Sequence, residues 1–295
     1  MKKTNKFNSR NKVGYIMMLL GILIPLILFT RISYSYLSQE KKYRAYLENQ
    51  DEMGKEDLAK IEKYNERVSQ GEPAIVDPFD VEGFNVKNEA YPQDEIFGYL
   101  SIPSIDFKKP IYLGATYDHM EKGVGQIDGT AIPVGGVGKR SVLAGHRGWY
   151  GDALLYNIGD VEVGDKITID EHGNKLTYKV DNIEIIRPSE WEKLKPIDGV
   201  DMLTILSCEP KYPPFTHRIL VNCIREDEQV TKVSSENFSG KESEEKVTET
   251  DGKVNKAAAR TNRLEIFITL FLWAIFIWVL VSFIKKLKNE RQSGD

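Results

Sequence analysis

Two uncharged apolar runs, one near each end, constrain this chain more than any other feature. Val13 to Thr30 reads VGYIMMLLGILIPLILFT and Ile266 to Ile284 reads IFITLFLWAIFIWVLVSFI, with no charged residue in either. A helix needs roughly 20 apolar residues to cross the hydrocarbon core of a bilayer, and each run is about that long. Lys2, Lys3, Lys6, Arg10 and Lys12 precede the first run, and Lys285, Lys286 and Lys288 follow the second. Cationic flanks stay on the cytoplasmic side, so both tails (1–12 and 285–295) are expected in the cytoplasm and everything between the spans outside. Trp273 and Trp278 lie within the second run and do not fix its depth. A signal peptide has a shorter apolar core, and Ser33 with Ser35 makes a poor cleavage site. The first run is therefore expected to remain as an anchor.

Between the anchors the texture changes three times. Residues 31–75 are polar and helix-prone, with Leu58, Ile61, Tyr64 and Val68 at the three- and four-residue spacing of one helical stripe. Gly54 divides two helical pieces, and Gly71 with Pro73 ends the second, which describes a membrane-proximal stalk. From Ile96 to Arg225, β-branched and aromatic runs alternate with Gly, Pro and Asp turns. The expected strands are Phe97–Ile102, Pro110–Tyr112, Ser141–Ala144, Lys166–Asp170, Lys175–Ile186, Met202–Ser207 and Arg218–Ile224. The expected helices are Tyr117–Lys122 and Ala153–Ile158. So many short strands with so little helix describe a mainly β domain, a closed or nearly closed barrel over 96–227. Residues 228–263 are rich in Ser, Glu, Lys and Thr and nearly devoid of apolar side chains, so they are expected to form a flexible linker to the second span, 264–284.

Composition removes several functions. A net charge of −4 with no basic, aromatic-interleaved patch argues against nucleic acid as a partner. The two cysteines, Cys208 and Cys223, lie outside any CxxC spacing and have no histidine pair nearby, which argues against a zinc site. No metal or other cofactor is expected, and no acidic cluster speaks for calcium. Two cysteines are also too few for a disulfide-built extracellular scaffold.

Three places carry reactive side chains. Leu203-Thr204-Ile205-Leu206-Ser207-Cys208 is an apolar strand ending in a thiol before a proline-rich loop. A thiol at a strand end is open to reaction, although a lone cysteine is more often a packed structural residue. Gly145-His146-Arg147-Gly148 follows a strand, and its glycines let the backbone turn and leave the imidazole unshielded. A neighbouring imidazole can take the thiol proton and later give it to a leaving amine. His119, His172 and His217 are rivals for that role. Thr216-His217-Arg218 opens the strand after the loop. If the two strands pair antiparallel, Arg218 faces Cys208, where a guanidinium suits an oxyanion; otherwise it is an ordinary solvated edge charge. Alternation turns His217 to the other face. Cys223, about 16 Å further along the strand and on the opposite face, lies beyond the roughly 7 Å Cα reach of a disulfide, so a reduced, packed residue is expected there.

Taken in order, these pieces resemble the sortases, and specifically the class C, pilin-polymerising group, over Val76 to about Arg225. FGYLSIPSIDFKKPIYLGA (Phe97–Ala115) is similar to the opening strands of that family. GVGQIDGTAIPVGG (Gly123–Gly136) and SVLAGHRG (Ser141–Gly148) resemble the approach to its histidine, and VGDKITI (Val163–Ile169) a later strand. LTILSC (Leu203–Cys208) is a version of its T-L-x-T-C signature, and THRILV (Thr216–Val221) carries its arginine. The resemblance implies a sortase-type eight-stranded β-barrel with Cys208 as nucleophile, His146 as general acid/base and Arg218 as oxyanion and substrate stabiliser. It implies cleavage of a Leu-Pro-x-Thr-Gly type signal between Thr and Gly, a thioester, and transfer to an amine, in class C typically a lysine of another pilin. The second anchor also fits class C. Asp77-Pro78-Phe79, opening the 76–95 lead-in, resembles the class C lid, which implies Asp77 against Arg218 and Phe79 against Cys208; read alone, Asp-Pro starts a turn.

Two departures stand out. Ser207 replaces the signature threonine but keeps its hydroxyl. The loop Glu209–His217, with Pro213-Pro214, is a residue longer than usual and stiffer, which bears on substrate preference. Two other functions fit the same features. One is a housekeeping-type sortase that joins surface proteins to cell-wall precursor. The other is a non-catalytic membrane-anchored binding module.

Overall fold

The structure is a computed structural model that describes residues 9–49, 53–72, 74–75, 77–79, 95–148, 154–226 and 255–292. The lead-in at 80–94, most of the expected linker (228–254) and the outer ends of both tails lie outside the described residues. The chain divides into two compact units, 1–37 with 260–295, and 38–259.

The first unit takes its helices from α1 (Ser9–Asn49) and α4 (Lys256–Gln292). Their facing contacts run antiparallel. Lys12 meets Glu290 at 2.7 Å, Tyr15 stacks on Phe283 at 5.5 Å, the Trp273 indole donates to Thr30 Oγ1 at 3.0 Å, and Ser33 and Thr269 share a hydroxyl hydrogen bond of 2.8 Å. The remaining surface is apolar and exposed, including Met17, Ile24, Phe267 and Trp278. Two helices of this unit are long and apolar enough to cross a membrane. Residues 256–263, expected as the end of a flexible linker, are helical instead. Ala257, Ala258 and Ala259 are the strongest helix formers available, and a polar composition does not override them.

The second unit is the barrel with α2 (Lys55–Ser69). The strands are β1 (Gly98–Ile102), β2 (Phe107–Leu113), β3 (Val124–Gln126), β4 (Arg140–Ala144), β5 (Lys166–Glu171), β6 (Asn174–Ile186), β7 (Met202–Glu209) and β8 (His217–Arg225), with α3 at Tyr117–Lys122. They close in the order β1-β2-β3-β4-β7-β8-β6-β5; β2–β3 and β4–β7 are parallel and the other pairs antiparallel. The expected helix at Ala153–Ile158 is a 3-10 segment at Leu155–Asp160.

Alternation sorts the apolar residues into two clusters. Every strand contributes to the first, through residues such as Leu100, Ile111, Val124, Leu143, Ile169, Tyr178, Ile205 and Val221, so this cluster fills the barrel. The second lies on the outer face of β4, β7 and β8. It contains Val142, Ala144, Leu206 and Leu220, with Met120 of α3 and Leu194 beside them and Ile75, Phe79 and Trp191 packed against it. Cys208 and Arg218 share the parity of this covered face.

Candidate active site

The site stands at the end of that outer face. Cys208 and Arg218 are direct partners in the β7–β8 ladder, so a short antiparallel connection sets the thiol beside the guanidinium. On the other side of β7, β4 runs parallel, with Ala144 paired to Leu206. Gly145 N–H donates to the Leu206 carbonyl at 3.1 Å, and Ser207 Oγ donates to the Gly145 carbonyl at 2.7 Å. His146 and Cys208 each come two residues past the Ala144–Leu206 pair. Cys208 is on β7 and His146 on the segment leaving β4, at matching positions along the two chains. A Cβ at Gly145 would stand 2.8 Å from Leu155 Cδ1, so a side chain at this crossing would make Leu155 shift.

Arg218 is 6% exposed. Its Nη2 donates to Asp77 Oδ2 at 2.9 Å, and its Nη1 donates to the carbonyls of Phe215 (3.2 Å) and His217 (2.9 Å). Asp77 Oδ1 accepts the Phe79 N–H at 3.0 Å, which folds the segment into a tight turn over the site. The Phe79 ring lies 5.8 Å from the His146 ring and 5.0 Å from the Arg218 guanidinium carbon. Phe79 thus meets the imidazole and the guanidinium. Tyr117 closes the other side of His146, edge-on at 4.8 Å. The sequence reading missed Tyr117 as a site residue, because a half-exposed aromatic at a helix start carries no chemical signal of its own.

This cover dries the site. Burial lowers the His146 pKa to about 4 and raises that of Cys208 to about 11. Arg218 and Arg147 pull the thiol back down, while Asp77 pushes it further up. At neutral pH both groups are uncharged.

The rival histidines lie elsewhere. His119 is buried in α3, its Nδ1 2.6 Å from the Gly114 carbonyl and its ring stacked on Tyr112. His172 sits in the β5–β6 turn at φ 40° beside Phe97. His217 bonds Thr216. Cys223 is fully buried in the barrel core and burial holds its thiol protonated; both cysteines are reduced. Among the described residues no group of three or more His, Cys, Asp or Glu side chains is arranged to hold a metal ion.

The fold and these residues define the sortase class of cysteine transpeptidases. A family model described as the Sortase domain matches residues 100–226. The chain is 36% identical to sortase C-3 of Streptococcus pneumoniae, covering 64% of this chain and 90% of that one, with a TM-score of 0.58. It is 35% identical to sortase C1 of GBS Pilus Island 1, covering 58% and 87%, with a TM-score of 0.53. It is 26% identical over 124 residues to Sortase A of Bacillus anthracis; that match spans 42% of this chain and 57% of that protein. The chain belongs to the sortase family, and its structural neighbours are class C sortases.

Proposed function

We propose that this protein is a pilin-polymerising transpeptidase in which Cys208 is the nucleophile, His146 the general acid/base, Arg218 the oxyanion and substrate stabiliser, and Asp77 with Phe79 a lid. The observation that supports this reading is the pairing of Cys208 with Arg218 in the ladder, under a segment whose Asp77 is ion-paired to the guanidinium and whose Phe79 lies against both that guanidinium and the His146 ring. Once the lid leaves, the thiol passes its proton to His146 and the sulfur attacks the threonine carbonyl of a Leu-Pro-x-Thr-Gly type signal. The resulting oxyanion is held by Arg218. His146 returns the proton to the departing glycine amine, and a thioester remains on Cys208. A pilin lysine amine then attacks the thioester and loses its proton to His146, which passes it to the departing sulfur of Cys208. The pilus context of the GBS relative supports a pilin as the acceptor.

The proposed setting is a two-pass membrane protein with both tails cytoplasmic and the barrel extracellular. Its spans are 13–30 and 264–284, its stalk 31–75, its lid and lead-in 76–95, its barrel 96–227, and its linker is shortened to end at the start of α4. Partners are sorting signals, an amine acceptor and the membrane.

The test is mass spectrometry of the protein mixed with a sorting-signal peptide. A mass gain equal to the acyl fragment, lost in Cys208→Ala, is expected. His146→Ala and Arg218→Ala should each slow turnover on the order of a hundredfold or more. Absence of the adduct from the wild-type protein, or near-normal turnover in any of the three variants, contradicts the assigned roles.

A further inference from the structure

The paired residues of β4 and β7 end at Ala144–Leu206, and the reacting residues stand beyond them. Cys208 is set by β8 through its pairing with Arg218. His146 belongs to the segment leaving β4. The spacing between imidazole and sulfur is therefore set where two chain segments run past their shared ladder, and side-chain bonds cross-link them there. Ser207 Oγ to the Gly145 carbonyl is one such bond. Arg147 supplies the other. Its Nη1 donates to the Cys208 carbonyl at 3.1 Å and forms an ion pair with the Glu209 carboxylate. One guanidinium from the residue after the imidazole thus grips the backbone of the nucleophile and the side chain of the next residue.

The grip is built in. The Arg147 side chain is 6% exposed and that of Glu209 23%. At Gly159, in the 3-10 segment behind, a Cβ would stand 2.6 Å from Arg147 Nη2, so the guanidinium fills the space that the glycine leaves. The bond from Leu155 N–H to the His146 carbonyl, 3.1 Å, ties that same segment to the imidazole residue. Both bonds leave one nitrogen, Nη1, whose two N–H donors the rigid guanidinium plane aims in fixed directions, as the freely rotating ammonium of a lysine does not. The Arg147 cation also draws the Cys208 pKa down against burial.

We infer that the Arg147–Glu209 ion pair is a positioning clip, which holds the His146 segment at its working distance from Cys208 and keeps a cation beside the thiol. The inference rests on the transpeptidase reading above. Arg147 is a positioning residue, because the atoms it touches are the Cys208 carbonyl and Glu209, not the reacting sulfur. Misplacing a catalytic group by about 1 Å can cost on the order of a hundredfold in rate without weakening binding.

The experiment uses the full chain in detergent micelles, with two readouts: steady-state turnover of a sorting-signal peptide, and the pH profile of Cys208 alkylation by iodoacetamide. Arg147→Gln should lower kcat about tenfold or more with KM within about twofold, and should move the alkylation midpoint to higher pH. Arg147→Lys should keep the midpoint and still lose kcat. Glu209→Gln should lower kcat without moving the midpoint upward, and Gly159→Ala, which pushes the guanidinium from its place, should lower kcat and move the midpoint upward. An unchanged kcat in Arg147→Gln, or a loss confined to KM, overturns the clip. If Arg147→Gln does not fold, Gly159→Ala and Glu209→Gln decide by the same kcat reading. If the wild-type protein does not consume the peptide, the transpeptidase reading fails instead, and an unmoved alkylation midpoint in Arg147→Gln then overturns the clip independently.

Discussion

Burial holds Cys208 and His146 as a neutral pair whose pKa values lie far apart, which makes proton transfer from thiol to imidazole uphill, and Asp77 and Phe79 of the proposed lid lie against that site. With a thiol pKa of about 11 and an imidazole pKa of about 4, the closed site holds a neutral pair at pH 7.5. Burial is the largest cause in both, so admitting water should move the thiol down and the imidazole up. Asp77 adds to the thiol shift and also occupies Arg218, the group proposed to receive an oxyanion. Below its pKa, each unit by which the thiol falls raises the thiolate fraction tenfold. Asp77→Ala with Phe79→Ala should therefore speed alkylation of Cys208 at pH 7.5 by on the order of ten- to a hundredfold and move its pH midpoint downward. An unchanged rate removes the lid from the proposal. The facing of Cys208 and Arg218 was legible in the sequence, because two strand patterns joined by a short loop leave one register. The partnership of Asp77 with Arg218 was not, since it joins residues 141 positions apart through a segment with no periodicity of its own. Only the family resemblance pointed to it.

Helix α2 shows where hydropathy stops informing at the level of whole elements. The stripe of Leu58, Ile61, Tyr64 and Val68 was readable, and Ile61 and Tyr64 do join the barrel core, with Val68 packed against it. Leu58 does not, being 45% exposed. The buried face turns instead toward Asn65, which is 2% exposed and clamps Ile132: its Oδ1 accepts the Ile132 N–H at 2.7 Å and its Nδ2 donates to the Ile132 carbonyl at 3.4 Å. Tyr64 Oη accepts the Gly129 N–H beside it. An asparagine that serves as a backbone partner looks, in a sequence, like any surface polar residue. β3 was missed for a related reason. Val124-Gly125-Gln126 is too short and too glycine-rich to show alternation, yet Gly125 is what lets the chain approach, since a Cβ there would stand 2.4 Å from Ala115 Cα. If α2 is a docked part of the domain rather than a free stalk, Ile61→Ala should lower the stability of the folded unit by about 2–5 kcal/mol in urea unfolding. A change below about 0.5 kcal/mol would make α2 a loosely attached helix.

At the scale of the whole molecule the question is which side of the membrane the chemistry faces. The contact series Lys12–Glu290, Tyr15–Phe283, Thr30–Trp273 and Ser33–Thr269 makes the two apolar helices an antiparallel pair, so their outer ends share a side. Arg10 and Lys12 stand at that end of one helix and Lys285, Lys286 and Lys288 near that end of the other, and the sequence before Ser9 adds Lys2, Lys3 and Lys6. Moving such a cluster across a bilayer is costly, whereas leaving it on the cytoplasmic face is not. The polar contacts between the helices favour the pair remaining together in lipid, where a lone hydroxyl has no water to bond. In the proposed two-pass topology, residues 38–259 lie on the opposite side from the tails, where sorting signals of exported proteins emerge. In protoplasts treated with protease, the barrel should be digested while tags at both termini survive. In inverted vesicles the tags should be lost and the barrel protected. A barrel protected in protoplasts would leave Cys208 on the same side as the lysine-rich tails, and a transpeptidase acting on exported pilins could not be built from this chain.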